Sequence, residues 1–346
     1  MEAKREGHFE LLRILLMAMI VGLHALYFGG VMLYYEEGST LALAYGIESL
    51  FAPAVNCFVL ISGYFSVHSA FRLKKFFLLW GQIVFYSVLF SAIYFISARQ
   101  VPSIADMVTT FAPVLTRRWW FASAFLPLYL ASGYLNRLLL GFDKKEYQRF
   151  LCIGFVLFVL WSSLRPFSLV FFPLVTASGY SFLFFLFLYS VGGYVRLHMS
   201  SFKSGGVYLL GYFLCASVTW GLSYMNRLSV SEFDRSALFF GYDTLWVFLS
   251  ALFLFLAFSR FSIQGKIIGR VSPLMFGVYL IHEHPHVRPA LYEWLGWGNQ
   301  YLGLAYVRQF LFSVFVVFVC CTLIEWIRTH VIFRPMENLF SRIVKK

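Results

Sequence analysis

The amino-acid sequence predicts an all-α protein, a polytopic membrane helical bundle of about ten transmembrane helices. Hydrophobic residues occupy 60% of the 346 positions, Phe alone accounts for 42, and only 13% of the residues are charged. An ordinary soluble domain carries about 25% charged residues. The apolar residues form continuous runs, without the alternation of apolar and polar residues that a β-barrel wall requires. This composition excludes a soluble enzyme, a disordered chain, a coiled coil, a DNA-binding domain and a secreted disulfide scaffold.

Apolar segments that approach the length of a membrane-spanning helix recur along the whole chain. Such a helix needs about 20 mostly apolar residues. Because no internal repeat or soluble domain interrupts the series, residues 1–346 are interpreted as a single transmembrane domain. The segments expected to cross the membrane are 10–28, 42–66, 76–98, 119–138, 150–164, 180–196, 206–225, 242–259, 271–284 and 305–328.

The net charge of +12 arises from Lys and Arg residues in short loops between the apolar runs. Most of these cations fall on one side of the expected bundle, including Lys4, Arg5, Lys345 and Lys346 near the two ends of the chain. Cytoplasmic loops of membrane proteins are enriched in Lys and Arg. Both termini are therefore expected in the cytoplasm, and the basic charge needs no nucleic-acid partner.

Two ionisable residues lie in the first expected span, where a charged group is costly and therefore a functional candidate. Arg13 and His24 are eleven positions apart. In an α-helix this separation returns to nearly the same face and places the two side chains about 16 Å apart along the axis. Glu10 precedes Arg13 by three positions and can pair with it. Alternatively, Arg13 extends to the inner lipid headgroups and His24 is a hydrogen-bonded packing residue.

Further titratable residues are expected at a membrane depth similar to that of His24. Glu48 lies near the outer end of the second segment, and His282 and Glu283 lie at the outer end of the ninth. A water-filled pocket shared by these helices would explain why they tolerate such groups. The pattern therefore predicts a polar pocket near the outer ends of these three helices.

A basic cluster follows the second segment directly, with Arg72, Lys74 and Lys75 in succession around one leucine. It can be ordinary charge of a cytoplasmic loop. It can also bind phosphates that enter from the cytoplasm, because cations at a helix start suit a polyanionic ligand. Near the other end of the chain, Glu325 is expected to pair with Arg328 three positions later.

Several short motifs occur together, in order, between about residue 8 and residue 328. They are Arg13-x10-His24 preceded by Glu10, the run Asn56-Cys57-Phe58-Val59-Leu60-Ile61-Ser62-Gly63-Tyr64, the pair Trp119-Trp120-Phe121 and Leu128-Tyr129-Leu130, and Tyr279-Leu280-Ile281-His282. With these motifs the sequence resembles the integral-membrane acyltransferase-3 family, whose members include O-acetyltransferases of polysaccharides.

The resemblance implies an acyltransferase that uses cytoplasmic acyl-coenzyme A, usually acetyl-CoA, and acylates a hydroxyl of an extracytoplasmic glycan. Such a glycan is a lipopolysaccharide, capsule, exopolysaccharide or peptidoglycan of the cell envelope, so the implied location is a bacterial cytoplasmic membrane. The sequence departs from the family pattern at the basic motif, which reads Arg72-x-x-Lys75 where Arg-x-x-Arg is usual. It also carries no esterase-like domain of the kind fused to some members.

The residue patterns and the resemblance together give a hypothesis for the site. His24 is expected to be the general base, because a neutral imidazole can take a proton from a sugar hydroxyl near neutral pH. Glu48 or His282 would orient His24 or relay the proton, and a covalent acyl intermediate is an open alternative. The expected coenzyme A contacts are Glu10, Arg13, Arg72 and Lys75, and the expected sugar contacts are Trp119, Trp120 and Tyr129.

No metal ion is expected to take part, since none of the five cysteines forms a Cys-x-x-Cys pair. The competing interpretation is a transporter or flippase of a glycan or small solute, a class in which charges near the membrane midplane are also typical. The absence of an internal repeat argues against it. Cleavage of the acetyl-CoA thioester by the purified protein would separate the two classes.

Overall fold

The computed structural model describes residues 6–29, 31–34, 38–167, 169, 177–199, 203–229, 234–295 and 302–333. Within these ranges the chain is almost entirely helical and contains no β-strand. The predicted all-α class is therefore confirmed. Lys4, Arg5, Lys345 and Lys346, on which the expected position of the termini partly depends, lie outside the described residues.

The helices follow one another closely, separated by short turns and 3-10 segments. In chain order they are α1 (Gly7–Phe28), α2 (Val31–Tyr34), α3 (Ser39–Phe51), α4 (Ala54–Ser66), α5 (Leu73–Ala98), α6 (Ile104–Phe111), α7 (Trp120–Gly141), α8 (Lys144–Gly154), α9 (Trp161–Ser163), α10 (Phe182–His198), α11 (Gly205–Leu228), α12 (Leu245–Phe258), α13 (Lys266–Val271), α14 (Met275–His282), α15 (Arg288–Trp294) and α16 (Gly303–Ile327).

The described residues contain seven helical stretches that are long and apolar enough to cross a membrane, which agrees with a helical membrane bundle. The ten expected segments all coincide with helical parts of the chain, and their number as spans stays a prediction. The seven stretches are Gly7–Phe28, Ser39–Ser66, Leu73–Ala98, Lys144–Phe167, Gly205–Leu228, Ser236–Phe258 and Gly303–Val331.

Two expected helices are interrupted in ways that the hydrophobic pattern does not reveal. The segment 42–66 divides into α3 and α4 at Ala52 and Pro53. Proline has no backbone N–H to donate, and its ring crowds the preceding turn, so it favours a break at this point. The segment 150–164 begins within α8 and continues as a π-helical stretch, Phe155–Leu160. Hydrophobicity alone marks both segments as uniform because the interruptions leave the apolar composition unchanged.

The second expected span packs tightly against α10 because glycines face the contact from both sides. A Cβ on Gly63 of α4 would collide with the carbonyl of Tyr189, and one on Gly192 of α10 would collide with the carbonyl of Leu60. Small residues permit such close approach of helix backbones inside a membrane, where packing rather than the hydrophobic effect drives association. α1 contacts α3, α4, α14 and α16, so the helix with Arg13 and His24 lies inside the bundle.

Candidate functional site

A cavity of about 430 Å³ lies beside α1 and is lined by α4, α5, α7 and α14 as well. Its wall follows one face of α1, because the lining residues of that helix recur at intervals of three or four positions. Arg13 and His24 both belong to this wall, so the cavity extends about 16 Å along the helix axis. The cavity-lining residues of α1 are Glu10, Arg13, Met17, Ile20, Leu23 and His24.

We call the part of the cavity at Arg13 and Lys75 its basic end. The Arg13 guanidinium donates to Glu10 Oε1 at 2.6 Å and lies 5.4 Å from the centre of the Phe65 ring. The ammonium of Lys75 lies 5.4 Å from the centre of the Tyr129 ring, which also lines the cavity. Two cations thus face the cavity here with one carboxylate, an arrangement that leaves a net positive charge for an anionic ligand.

Arg72, the other expected phosphate contact, lies next to the basic end but does not line the cavity. Its side chain is exposed, and its contacts to Tyr129 run through the backbone. The Tyr129 hydroxyl donates to the Arg72 carbonyl at 3.2 Å. Arg72 therefore fixes the position of Tyr129, whereas Lys75 presents its charge to the cavity itself.

We call the part of the cavity at His24 its histidine end. His24 Nδ1 lies 2.8 Å from His282 Nε2, and His282 Nδ1 lies 2.6 Å from the carbonyl oxygen of Val278. A carbonyl oxygen can only accept, so His282 Nδ1 carries a proton and donates it. In a neutral pair, His282 Nε2 is then the acceptor and His24 Nδ1–H the donor. The lone pair of His24 therefore resides on Nε2, the nitrogen that a general base would use.

A carboxylate and a guanidinium complete the histidine end. Glu283 Oε2 lies 3.2 Å from His24 Nδ1, while Arg288 donates to Glu283 Oε1 at 2.7 Å. The donor atoms of His24, His282 and Glu283 lie within 4.8 Å of one another, a spacing that a metal ion could also use. The Arg288 guanidinium, however, already supplies positive charge to this carboxylate, and a divalent cation beside it would be repelled.

The structure separates the three aromatic residues that were expected to share a sugar ring. Trp120 lines the cavity and stacks on Tyr242 with 5.7 Å between ring centres. Tyr129 lies at the basic end with Lys75. Trp119 is 1% exposed and packs edge-on against His284 at 5.4 Å, away from the cavity lining. Of the three residues, Trp120 is the one that lines the cavity away from Lys75.

The structure joins His24 by a hydrogen bond to His282, one of its two expected partners. Glu48 is buried on α3, and its Oε2 has no hydrogen-bond partner among the described residues. Among the described residues, no hydrogen bond or ion pair joins Glu48 to His24. His282 is fully buried behind His24 and lies outside the cavity lining. The roles of these residues stay predictions.

The sequence patterns assigned no role in the site to Glu283 or to Arg288. Glu283 follows His282 directly, and one residue further along a helix would ordinarily point elsewhere. It reaches His24 because α14 ends at His282 and the chain turns there. Arg288 begins α15, and its guanidinium lies over Phe28 of α1 with 3.9 Å to the ring centre. Its distance of only five positions from Glu283 was the available signal.

Comparison with known families identifies the chain. The model of the acyltransferase-3 family, described as an acyltransferase domain, matches residues 7–326. The chain belongs to the acyltransferase-3 family. This membrane acyltransferase carries both halves of the Arg-x10-His motif on one cavity wall, as their eleven-residue spacing on a helix predicts. Comparisons with curated proteins and with solved structures found no match to it.

Proposed function

We propose that this acyltransferase moves an acetyl group from cytoplasmic acetyl-coenzyme A to a hydroxyl of an extracytoplasmic cell-surface glycan. The observation that carries the proposal is the continuous cavity along α1, with cations at one end and a hydrogen-bonded imidazole at the other. Acyl-coenzyme A has phosphates at one end, a long flexible arm, and a reactive thioester at the other end. The cavity offers cations for the phosphates and an imidazole for the thioester in the same order. The glycan would be a polysaccharide, lipopolysaccharide or exopolysaccharide of a bacterial envelope.

The donor would bind with its phosphates at the basic end. Arg13 and Lys75 supply the charge there, and Glu10 holds the Arg13 guanidinium in place through its 2.6 Å contact. Charge-assisted hydrogen bonds to phosphate are among the stronger contacts a protein can make. The cavity wall between the two ends is largely apolar, with Met17 and Ile20 on α1. It suits a flexible arm that carries the thioester towards His24.

The transfer step would take place at the histidine end. His24 Nε2 accepts the proton of the glycan hydroxyl while that oxygen attacks the thioester carbonyl. The carbon–oxygen bond forms, the carbon–sulfur bond breaks, and the departing thiolate takes the proton back from the imidazolium. The products are the glycan ester and free coenzyme A thiol. His282 holds His24 in the tautomer that this step requires, through the chain from the Val278 carbonyl.

The acceptor would lie against the aromatic side chains near His24. Trp120, Tyr242 and Tyr279 all line the cavity. Aromatic faces offer apolar contact to a sugar ring, and the tyrosine hydroxyls offer polar contacts at its rim. The histidine end would thereby receive a hydroxyl from outside while the acyl donor reaches it along the cavity.

The decisive experiment uses the purified full-length protein in proteoliposomes with radiolabelled acetyl-CoA. Release of free thiol and transfer of label to added envelope glycans are measured together. His24→Ala is expected to abolish both signals, whereas the matched control His68→Ala, at an exposed histidine, should keep them. Transport of a glycan without thioester cleavage would instead support a flippase, and normal transfer by His24→Ala would remove His24 from the reaction.

A further inference from the structure

We infer that Glu283 is a positioning residue for acyl transfer, and that its carboxylate stabilises the positive charge that His24 gains when it takes the acceptor's proton. The inference rests on the proposed function of His24 as general base. It assigns to Arg288 the task of holding Glu283 in place. Neither residue belongs to the motifs on which the family resemblance depends.

The two carboxylate oxygens of Glu283 have different environments. Oε1 accepts a hydrogen bond from Arg288 at 2.7 Å. Oε2 is buried, has no hydrogen-bond partner among the described residues, and lies 3.2 Å from His24 Nδ1. A buried carboxylate oxygen without a partner is costly, because its lost hydration is not replaced. Because Glu283 Oε2 lies beside His24, the protonated His24 ring becomes its partner during the reaction.

His282 cannot provide this stabilisation by itself. In the resting state the His24 Nδ1–H is directed to His282 Nε2 at 2.8 Å, which fixes the tautomer. Both rings are neutral in that state, so their hydrogen bond compensates no net charge. After His24 accepts a proton on Nε2, the ring carries a full positive charge in a largely apolar cavity. The carboxylate oxygen Glu283 Oε2 then lies 3.2 Å from this charged ring, and attraction over such a distance is strong where water is excluded.

The arrangement follows the logic of a Ser-His-Asp triad, in which a buried carboxylate stabilises the imidazolium without accepting the proton. The described structure divides that work between two residues. His282 orients the ring, and Glu283 supplies the charge. Arg288 allows a carboxylate to stay in this site, because it compensates the negative charge at Oε1 and leaves Oε2 directed towards His24.

The test compares Glu283→Gln and Glu283→Asp with the matched control Glu293→Gln, which changes an exposed glutamate on α15. Glutamine keeps an acceptor for Arg288 but carries no charge. We expect Glu283→Gln to lower kcat about 100-fold, the lower end of the range for an acid–base contribution, with an unchanged KM for acetyl-CoA. Glu283→Asp should recover part of the lost kcat, and Glu293→Gln should behave as wild type. Thermal unfolding in detergent confirms that each variant is folded.

The outcomes separate this inference from the proposed function. If His24→Ala is inactive while folded Glu283→Gln keeps full kcat, Glu283 has no such role and the general-base proposal survives. If His24→Ala is active, the general-base proposal itself fails. A rise in KM with unchanged kcat in Glu283→Gln would also overturn the inference, because it would place Glu283 in donor binding. Equal losses in Glu283→Asp and Glu283→Gln with lowered unfolding temperatures would indicate a structural role only.

Discussion

Two buried polar clusters in this protein contain similar residue types but differ in how completely their polar atoms are hydrogen-bonded. The first surrounds Glu325 on α16, a residue that is 1% exposed. Both carboxylate oxygens are occupied: Arg328 donates to them at 2.8 and 2.6 Å, Tyr86 at 2.5 Å, and Gln82 and Thr329 at 3.1 Å. The pairing of Glu325 with Arg328 agrees with the expectation from their spacing.

The second cluster surrounds His24 and is left incomplete. Glu283 Oε2 has no hydrogen-bond partner among the described residues, and the Nε2 lone pair of His24 is not used in the contact with His282. Buried polar groups in folded proteins are normally satisfied, so an unsatisfied one calls for an explanation. A saturated cluster stabilises the fold, whereas unused acceptors beside a cavity are available to a reacting molecule. This difference separates the two clusters where residue types do not.

The largest effect on stability is expected at Glu325, in the cluster whose hydrogen bonds are complete. Glu325→Gln removes the charge that compensates Arg328 in a buried site, so we expect a loss of about 3–5 kcal/mol in stability, the range for breaking a buried pair. Thermal unfolding of the detergent-solubilised protein measures the change. Glu146→Gln, at an exposed glutamate on α8, is the control for the substitution itself. Normal stability with lost transfer would mean that Glu325 belongs to the chemistry instead.

His282→Ala is the corresponding change in the incomplete cluster. It removes the acceptor that fixes the His24 tautomer, and we expect kcat to fall about 100-fold, equivalent to about 2.7 kcal/mol. The free energy of unfolding should fall by less than after Glu325→Gln, because the lost hydrogen bond joins two neutral rings, whereas Glu325→Gln breaks a buried ion pair. Steady-state transfer assays and thermal unfolding test the two statements. A kcat near that of wild type would show that His24 needs no orientation by His282.

The sequence indicated the helical class, the common face of Arg13 and His24, and the pair at Glu325, because each depends on local periodicity. It did not indicate which of Glu48 and His282 meets His24. That choice depends on how separate helices pack, and both residues have the same hydrophobic surroundings in the sequence. The turn after α14 was only partly indicated, since Pro285 marks the end of a helix nearby but not that the turn brings Glu283 to His24.

Gly277 links the two clusters, since it lies on α14 five positions before His282 and faces Glu325. A Cβ at this position would collide with the Glu325 carboxyl group. Gly277→Ala is expected to destabilise the protein by about 1–3 kcal/mol, as overpacking does, and to displace α14. Because α14 carries His282, transfer should fall together with stability. Gly269→Ala is the control, since a Cβ there meets open space. A loss of only one of the two properties would show that the clusters are independent.

Lys75 and Arg72 permit a smaller test at the basic end. Lys75 lines the cavity, whereas Arg72 does not. Lys75→Ala should raise KM for acetyl-CoA about tenfold, equivalent to about 1.4 kcal/mol, with kcat nearly unchanged. Arg72→Ala should have less effect, and Lys144→Ala, at an exposed lysine on α8, none. A fall in kcat alone after Lys75→Ala would contradict phosphate binding there.

The smallest effect is expected from removal of metal ions. Three ligand atoms, from His24, His282 and Glu283, lie within 4.8 Å of one another. If acyl transfer depended on a metal ion bound there, removal of that ion by EDTA would lower the transfer rate far more than twofold. Arg288 already bonds Glu283, so a cation is supplied by the protein itself. We therefore expect dialysis against EDTA to change transfer by less than about twofold. A large loss that added Zn²⁺ restores would make these residues metal ligands, and His24 could then not be the free base that the comparison of the two clusters identifies.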